Sequence, residues 1–295
     1  GRKKGFGRAR LVRWDLSIMA IVKRLALIGI GLIGSSIARG AREWGLVETI
    51  VVSTRSRETL ARAQEIGLGD VYEADAGRAV IDADLVIVSV PVGASEAVAK
   101  QIAPYLKPGA IVTDVGSVKA SVVKQMAPHI PEGVHFVPAH PIAGTEHSGP
   151  DAGFSTLFRN RWCILTPPEG TDAAAIDTVS RFWSALGANV DTMEPAHHDM
   201  VFAIVSHIPH LIAYNIVGTA QHLEVVSDNE VIKYSASGFR DFTRLASSDP
   251  TMWRDVFLHN KEAVIEMLGR FTEDLIVLQR AIRFGDADTL FETFS

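Results

Sequence analysis

Between Arg24 and Pro138, short aliphatic runs alternate with longer stretches whose apolar residues recur at helical spacing. The runs cover residues 25–28, 50–52, 85–90, 110–113 and 134–137, with helix-like stretches such as 35–44 and 58–67 between them. Strands alternating with helices imply βαβ units and a parallel sheet, with right-handed crossovers. The same strand–helix–strand pattern returns at 162–165, 173–186 and 189–193, and is expected to extend that sheet.

After about Glu194 the strand signals stop. From His197 to His222 the apolar residues Val201, Ile204, Val205, Ile208, Leu211, Ile212 and Val217 keep helical spacing and nearly encircle the helix, which predicts burial. Pro209 in its middle removes a backbone donor and predicts a kink. Ser248-Asp249-Pro250 reads as a cap with proline in the first turn, opening a long amphipathic helix over about 251–284. Long apolar helices in a small second domain pack on each other and often on a second subunit.

Composition adds bounds. A length of 295 residues suggests about two domains. The balance of 47% hydrophobic and 21% charged residues is ordinary for a soluble globular enzyme. The single cysteine, Cys163, lies in the apolar run 162–165, which points to a buried role and not to a reactive thiol. With one cysteine and no secretory pattern the chain is expected to be cytoplasmic, and no run of 18 consecutive apolar residues predicts a membrane span. Residues 1–18 differ from the rest: Arg2, Lys3, Lys4, Arg8, Arg10 and Arg13 stand against Asp15 alone, although the whole chain carries a net charge of −5. Met19-Ala20 resembles a natural start, so 1–18 is read as an extension expected to be disordered. A nucleic-acid partner is not expected. The segment lacks aromatic interleaving beyond Phe6 and Trp14, and the acidic body would repel a phosphate backbone.

Gly29-Ile30-Gly31-Leu32-Ile33-Gly34 fits G-x-G-x-x-G, after a predicted strand and opening a predicted helix. In that context the first glycine makes a tight turn, the second admits a pyrophosphate, and the third lets helix and strand pack closely. The helix amino end adds free N–H groups and a positive dipole. An acid about 20 residues on normally holds the ribose of NAD. Here the second strand runs into Ser53-Thr54-Arg55-Ser56-Arg57 with no carboxylate, so hydroxyls and arginines favour NADP over NAD. Ser89-Val90-Pro91 ends a further strand and is expected to line the adenosine side.

Ligands of open parallel sheets lie beyond the carboxyl ends of the strands. Two such ends are polar: Asp114-Val115-Gly116-Ser117-Val118-Lys119, and His140 between Pro138 and Pro141. Ser117 and His140 are therefore expected to converge near the nicotinamide. Lys119 also reads as a solvated helix residue, and Asp114 as a turn-former. In the helical half, Ser206-His207-Ile208-Pro209-His210 sets polar groups on an apolar helix, as a pocket lining or as satisfied core histidines. No matching carboxylate or cysteine spacing supports a metal, and none is expected. Arg240 and Arg244 stand near Phe239 and Phe242, and an arginine fork suits a carboxylate ligand. Trp253 opens the last long helix.

Together these residues resemble the prephenate/arogenate (cyclohexadienyl) dehydrogenase family of tyrosine biosynthesis. The resemblance runs from about Arg24 to Asn260. It rests on the glycine loop, the Asp114–Lys119 segment, His140-Pro141-Ile142-Ala143-Gly144-Thr145-Glu146, Ser206–His210, Gly238-Phe239-Arg240-Asp241-Phe242-Thr243-Arg244 and Ser248–Trp253. It implies an α/β protein: a Rossmann-like, mostly parallel sheet domain over 19–193, followed by an all-helical substrate-binding and dimerisation domain over 194–295. It also implies oxidative decarboxylation of prephenate, arogenate or both, with hydride passed to NAD(P). His140 would accept the hydroxyl proton, help typically worth about 10²–10⁴-fold in rate. Ser117 would orient His140 or the hydroxyl, and Arg244 would bind a carboxylate. His210, Ser206 and Trp253 would line the substrate's side-chain end, Thr145 and Glu146 the mouth, and Asp199 would pair with Arg244. The family's helical domain forms an intertwined dimer.

The missing acid after the second strand departs from the NAD pattern. The chain ends at Ser295, soon after the last long helix, so any feedback by tyrosine is expected at the active site. Two rival readings are a β-hydroxyacid dehydrogenase and a non-catalytic dinucleotide sensor. The first normally places a lysine on the first long helix of its second domain, and none lies between Glu194 and Leu223. The second would not need a serine, a histidine and an arginine aimed at one point.

Overall fold

The computed structural model of the protein describes residues 20–145, 147–224, 234 and 237–295. The basic segment 1–18 and Glu146 lie outside the described residues. Six strands form one parallel sheet: β1 (Val22–Ile28), β2 (Val47–Ser53), β3 (Val71–Glu73), β4 (Leu85–Val88), β5 (Ile111–Asp114) and β6 (His135–Phe136), in the order β3-β2-β1-β4-β5-β6. Helices α1 (Leu32–Glu43), α2 (Arg57–Glu65), α3 (Ala76–Ala79), α4 (Ser95–Ile102) and α5 (Ala120–Met126) connect them. The order reverses between β1 and β4, which opens a crevice at their carboxyl ends.

The central strands bury both faces, as a sheet covered by helices on both sides requires. Leu25, Leu27, Val52, Leu85 and Ile87 pack with Ile37 and Ala41 of α1. Ala26, Ile28, Val51, Val86 and Val112 pack on the opposite face with residues of α3, α4 and α5. Strand β3 escaped the sequence pattern because it is three residues long, with Val71 exposed and Tyr72 and Glu73 only half-buried.

The expected extension of the sheet is corrected. β7 (Ala139–Pro141), β8 (Trp162–Leu165) and β9 (Asn189–Thr192) form a separate three-stranded sheet, with β7 antiparallel to β8 and β8 parallel to β9. Pro138 is the corner. The N–H of Val137 still donates to Val112 of β5, at 2.9 Å. Pro138 has no N–H to continue that ladder, and its carbonyl accepts from Thr166 beyond β8, at 2.9 Å. Helix α6 (Ala173–Ala185), capped by Asp172, joins β8 to β9 and sends Phe182 and Trp183 into the core of the first sheet.

The second half is helical. α7 (Pro195–Phe202) begins at a Glu194 cap and continues through a π-helical turn over Ala203–His207 into α8 (Ile208–Glu224). The π turn, a looser winding, lies just ahead of Pro209, where the sequence predicts a kink. The stretch Pro195–Leu223 is apolar and long enough to cross a membrane, with a mean hydropathy of 1.6. His198, Asp199 and His207 within it are nevertheless buried among polar partners of this chain. α9 (Ser237–Ala246) packs along α8. The long helix expected over 251–284 is two: α10 (Pro250–His259), capped by Asp249, and α11 (Lys261–Phe284). The break falls at Asn260, whose side-chain amide donates to the Asp199 carbonyl at 2.9 Å and also reaches Nδ1 of His207 at 3.0 Å. α12 (Ala287–Phe294) ends the chain.

Candidate active site

The glycine loop links β1 to α1, and its geometry follows the motif's logic. Gly29 has φ +99°, and a Cβ there would stand 2.1 Å from the Ser89 carbonyl oxygen. A Cβ on Gly34 would stand 2.2 Å from the Gly29 oxygen, so this glycine permits the close strand–helix approach. A Cβ on Gly31 would meet nothing within 4 Å, so this stretch of backbone faces open space. Gly31 is the N-cap of α1 and offers no side-chain cap, which leaves the first N–H groups of the helix for an anion. Ile30 is buried, while Leu32 and Ile33 pack partly against the core. The N–H of Gly29 donates to the carbonyl of Ser53, the buried last residue of β2, at 2.8 Å. Thr54 is half-buried and Arg55 exposed. Ser89 donates its N–H to Ile28, and Val90 and Pro91 continue along the rim of the crevice. These residues fit a dinucleotide by the room at Gly31 and the uncapped helix.

The chemical groups gather one strand further on. His140, the middle residue of β7, is buried at 8% exposure. Its Nδ1 lies 2.8 Å from Nε2 of His198, and Nδ1 of His198 lies 2.9 Å from Oδ1 of Asp199. Phe202 packs on both rings, at 4.8 Å from His140 and stacked at 4.4 Å on His198. Burial, aided by the charges of His198 and Lys119, pushes the His140 imidazole well below its usual range. Burial also lowers His198, although Asp199 opposes it. His207 is pushed down to about 4 by burial, again against Asp199.

Two expectations change here. Asp199 does not pair with Arg244. Its oxygens accept from the backbone N–H groups of Lys119 at 2.7 Å and Ala120 at 2.9 Å, so a carboxylate of the helical half caps α5 of the sheet half. Lys119 is not solvated. It is fully buried and donates to Asp114 and, at 2.7 Å, to the Ala139 carbonyl, directly beneath His140. Asp114 also accepts from the N–H groups of Gly116 and Ala139, so the pair staples the start of β7 to the end of β5. Cys163 is buried on β8 beside them, and burial raises its thiol well above the usual range.

Ser117 lies half-buried on the loop after β5. Among the described residues no hydrogen bond joins it to His140, whose ring is held by His198. Its neighbour Val118 is fully buried against Trp253 and Val256, which ties the two halves together next to Ser117. Nδ1 of His210 donates to the Ser206 carbonyl at 2.9 Å, and the ring stacks on Trp253 with centroids 3.7 Å apart. Burial lowers His210, the hydrogen bond to Ser206 opposes, and the charge of Arg244 lowers it further. The Trp253 indole N–H is buried without an acceptor among the described residues. Arg244 is exposed on α9 with no carboxylate partner among the described residues. Thr145 is exposed, and its hydroxyl accepts from the N–H of His147.

Sequence reasoning missed His198 and Asn260. The triplet His197-His198-Asp199 directly after a helix cap was the available signal for the first. Asn260 interrupts an otherwise continuous helical pattern, and only its partners reveal its purpose.

Residues 37–192 match the family model described as prephenate dehydrogenase, nucleotide-binding domain, and residues 194–295 match the one described as prephenate dehydrogenase, dimerization domain. The chain is 42% identical over 276 residues to cyclohexadienyl dehydrogenase of Zymomonas mobilis, covering 94% of each protein. It resembles the crystal structure of prephenate dehydrogenase from A. aeolicus in complex with hydroxyphenyl propionate and NAD+, at TM-score 0.86 and 34% identity, over 92% of this chain and 94% of that one. It also resembles Synechocystis arogenate dehydrogenase, at TM-score 0.78 and 26% identity, over 92% and 96%.

Proposed function

The chain belongs to the prephenate dehydrogenase family, and from that premise we propose that it oxidises and decarboxylates both prephenate and arogenate, with His140 as the base. The observation that carries this reading is His140 itself: buried, neutral, held through Nδ1, with Nε2 engaging no described residue. A relative named for the cyclohexadienyl ring, and solved relatives named for prephenate and for arogenate, support a site open to both side chains.

The cofactor is a nicotinamide dinucleotide, held at Gly29–Gly34, and it supplies the hydride acceptor. The chain's own residues handle the rest. Nε2 of His140 takes the substrate's hydroxyl proton while the carbinol carbon gives up the hydride that a bound dinucleotide would accept. The ring C–C bond to the carboxylate then breaks, carbon dioxide leaves, and the freed pair aromatises the ring. The ring oxygen recovers its proton from His140. With the substrate carboxylates ionised, no proton is released to solvent. Ser117 orients the substrate hydroxyl. Arg244 binds a carboxylate, where a charged hydrogen bond contributes about 1.5–3 kcal/mol. His210, held by the Ser206 carbonyl, and Trp253, whose indole N–H has no acceptor among the described residues, receive the side chain. Thr145, exposed, stands at the mouth. Ser53, Thr54 and Arg55, an exposed cation with no ion-pair partner among the described residues, favour a ribose 2′-phosphate, and hence NADP.

The protein acts as a homodimer through its helical half. Val205 is 60% exposed in the single chain, Ile276 58% and Phe284 74%, apolar side chains that a second copy would cover.

A two-by-two assay of prephenate or arogenate with NAD or NADP tests the substrate and cofactor readings. His140→Asn is expected to lower kcat by about 10²–10⁴-fold with dinucleotide affinity unchanged. Normal turnover of both substrates by this variant would remove His140 from the mechanism.

A further inference from the structure

His140 ends a chain of two hydrogen bonds that begins on a carboxylate, and donor–acceptor logic leaves one protonation pattern for it. Asp199 already accepts two backbone N–H groups, and as a carboxylate it can only accept from His198. Nδ1 of His198 therefore carries a proton. Neutral His198 then presents a bare Nε2, which can only accept, so Nδ1 of His140 carries a proton and its Nε2 is bare. The resting protein holds His140 in the tautomer a base needs.

We infer that His198 and Asp199 are positioning residues of the reaction, fixing the tautomer of His140 and sharing the proton it takes from the substrate hydroxyl. This rests on the reading of His140 as the base.

The charges around the ring agree. Asp114 and Lys119, beneath β7, form a pair that sums to zero. The Cys163 thiol on β8 stays protonated. His207, at about 4, is uncharged at neutral pH. Phe202 closes the remaining side. Asp199 is the one uncompensated charge among these groups. A proton arriving on His140 thus takes the buried cluster from one negative charge to none. Without Asp199 the same proton would create an unpaired buried cation, which burial disfavours strongly. Because the proton is returned to the ring oxygen within the turnover, the relay needs no path to solvent. It has only to hold the proton while carbon dioxide leaves. The asparagine at the α10–α11 break completes the device by gripping the Asp199 carbonyl and His207 together.

Nitrogen NMR of the full-length protein labelled with ¹⁵N-histidine tests the tautomer, and His140 is expected to be protonated on Nδ1 and bare on Nε2. In Asp199→Asn the charge is lost, and the new NH2, whichever oxygen it replaces, faces a backbone N–H of Lys119 or Ala120, so Nδ1 of His198 no longer has a carboxylate to donate to. The fixed tautomer of His140 should then be lost and its protonated form left without a counter-charge, and kcat should fall by roughly 10³–10⁴-fold, the scale found when the carboxylate behind a catalytic histidine becomes an amide. KM and dinucleotide affinity should stay within about threefold, since neither ligand touches Asp199. His198→Gln keeps an acceptor for His140 and a donor for Asp199, whereas His198→Leu keeps neither. The glutamine variant is expected to retain at least about tenfold more kcat than the leucine variant at equal KM. The relay is overturned by a wild-type His140 protonated on Nε2, by equal kcat in the two His198 variants, or by near-normal kcat in Asp199→Asn. Should Asp199→Asn fail to fold, the wild-type tautomer and the His198 pair decide. An inactive His140→Asn beside a fully active Asp199→Asn would sink the relay alone, while an active His140→Asn would sink the base and the relay together.

Discussion

The two halves of the proposed active site are made of different materials. The proposed dinucleotide half is backbone: Gly29, Gly31 and Gly34 matter through the Cβ atoms they lack, all within six consecutive residues. The chemical half is side chains brought together from far apart: Lys119 ahead of α5, His140 on β7, His198 and Asp199 on α7, and Asn260 between α10 and α11. The first is local and exists as soon as a strand turns into a helix. The second exists only when both halves of the chain have folded, and it depends on burial keeping its histidines neutral. Each half should therefore fail under a different perturbation.

The largest separation is expected within the glycines. Gly29→Ala must hold a side chain at φ +99° and drive a methyl to 2.1 Å from the Ser89 carbonyl. Such strain costs about 1–3 kcal/mol from the backbone alone, with the clash added, so thermal melting should drop sharply. Gly31→Ala is the contrast. Its backbone, at φ −91°, is ordinary, and its Cβ meets no atom within 4 Å. Its stability should stay within about 0.5 kcal/mol, yet dinucleotide affinity should fall by about tenfold or more, because the methyl fills the approach of the pyrophosphate. Melting curves paired with dinucleotide titrations check both. A Gly31→Ala protein that binds normally would break the claim that this half is built from backbone.

Acid should act on the other half. His207 sits at about 4 in the folded protein against an ordinary value of 6.5. Between those values the unfolded chain binds a proton at this residue and the folded chain does not. Stability therefore rises with pH in this window and is lost as pH falls from 6.5 toward 4. At 1.36 kcal/mol per unit, this buried group alone accounts for about 3 kcal/mol across the window. His140 and His198 shift in the same direction and add to it. The urea midpoint should fall steadily from pH 6.5 to 4. The acid limb of kcat/KM should lie below 6.5, because burial lowers the His140 imidazole. A flat midpoint would mean the histidines are not buried as neutral groups.

The same contrast decides what the sequence could show. The glycine loop, its strand and its helix were legible because their reasons are local: spacing, a turn, a cap. Asp249 and Pro250 were readable as a helix start for the same reason. His140 was legible as a polar residue at a strand end, flanked by prolines. Its partner His198 was not, because nothing in an apolar helix reveals which of two adjacent histidines faces inward: His198 is fully buried, and His197 is exposed. Lys119 and Asp199 were misread because each is satisfied by backbone groups or side chains distant in sequence. The second sheet was missed because a proline corner, invisible to periodicity, moved the chain off the first ladder.

The smallest expected effect bears on whether the dinucleotide half uses side chains at all. β2 ends at Ser53 without a carboxylate. The acid level with it on β3, Glu73, is engaged by Arg78 at 3.3 Å. Arg55 and Arg57 are exposed and have no ion-pair partner among the described residues. A 2′-phosphate would meet free cations here, while a bare ribose would find its candidate acceptor taken. Arg55→Ala should then raise KM for NADP by about tenfold, near the low end for a hydrogen bond to a charged group, and leave KM for NAD within about twofold. Surface charges are screened by salt, so the NADP effect should shrink as ionic strength rises. Equal changes for the two dinucleotides would show that Arg55 does not read the ribose, and would leave this half of the site to the backbone alone.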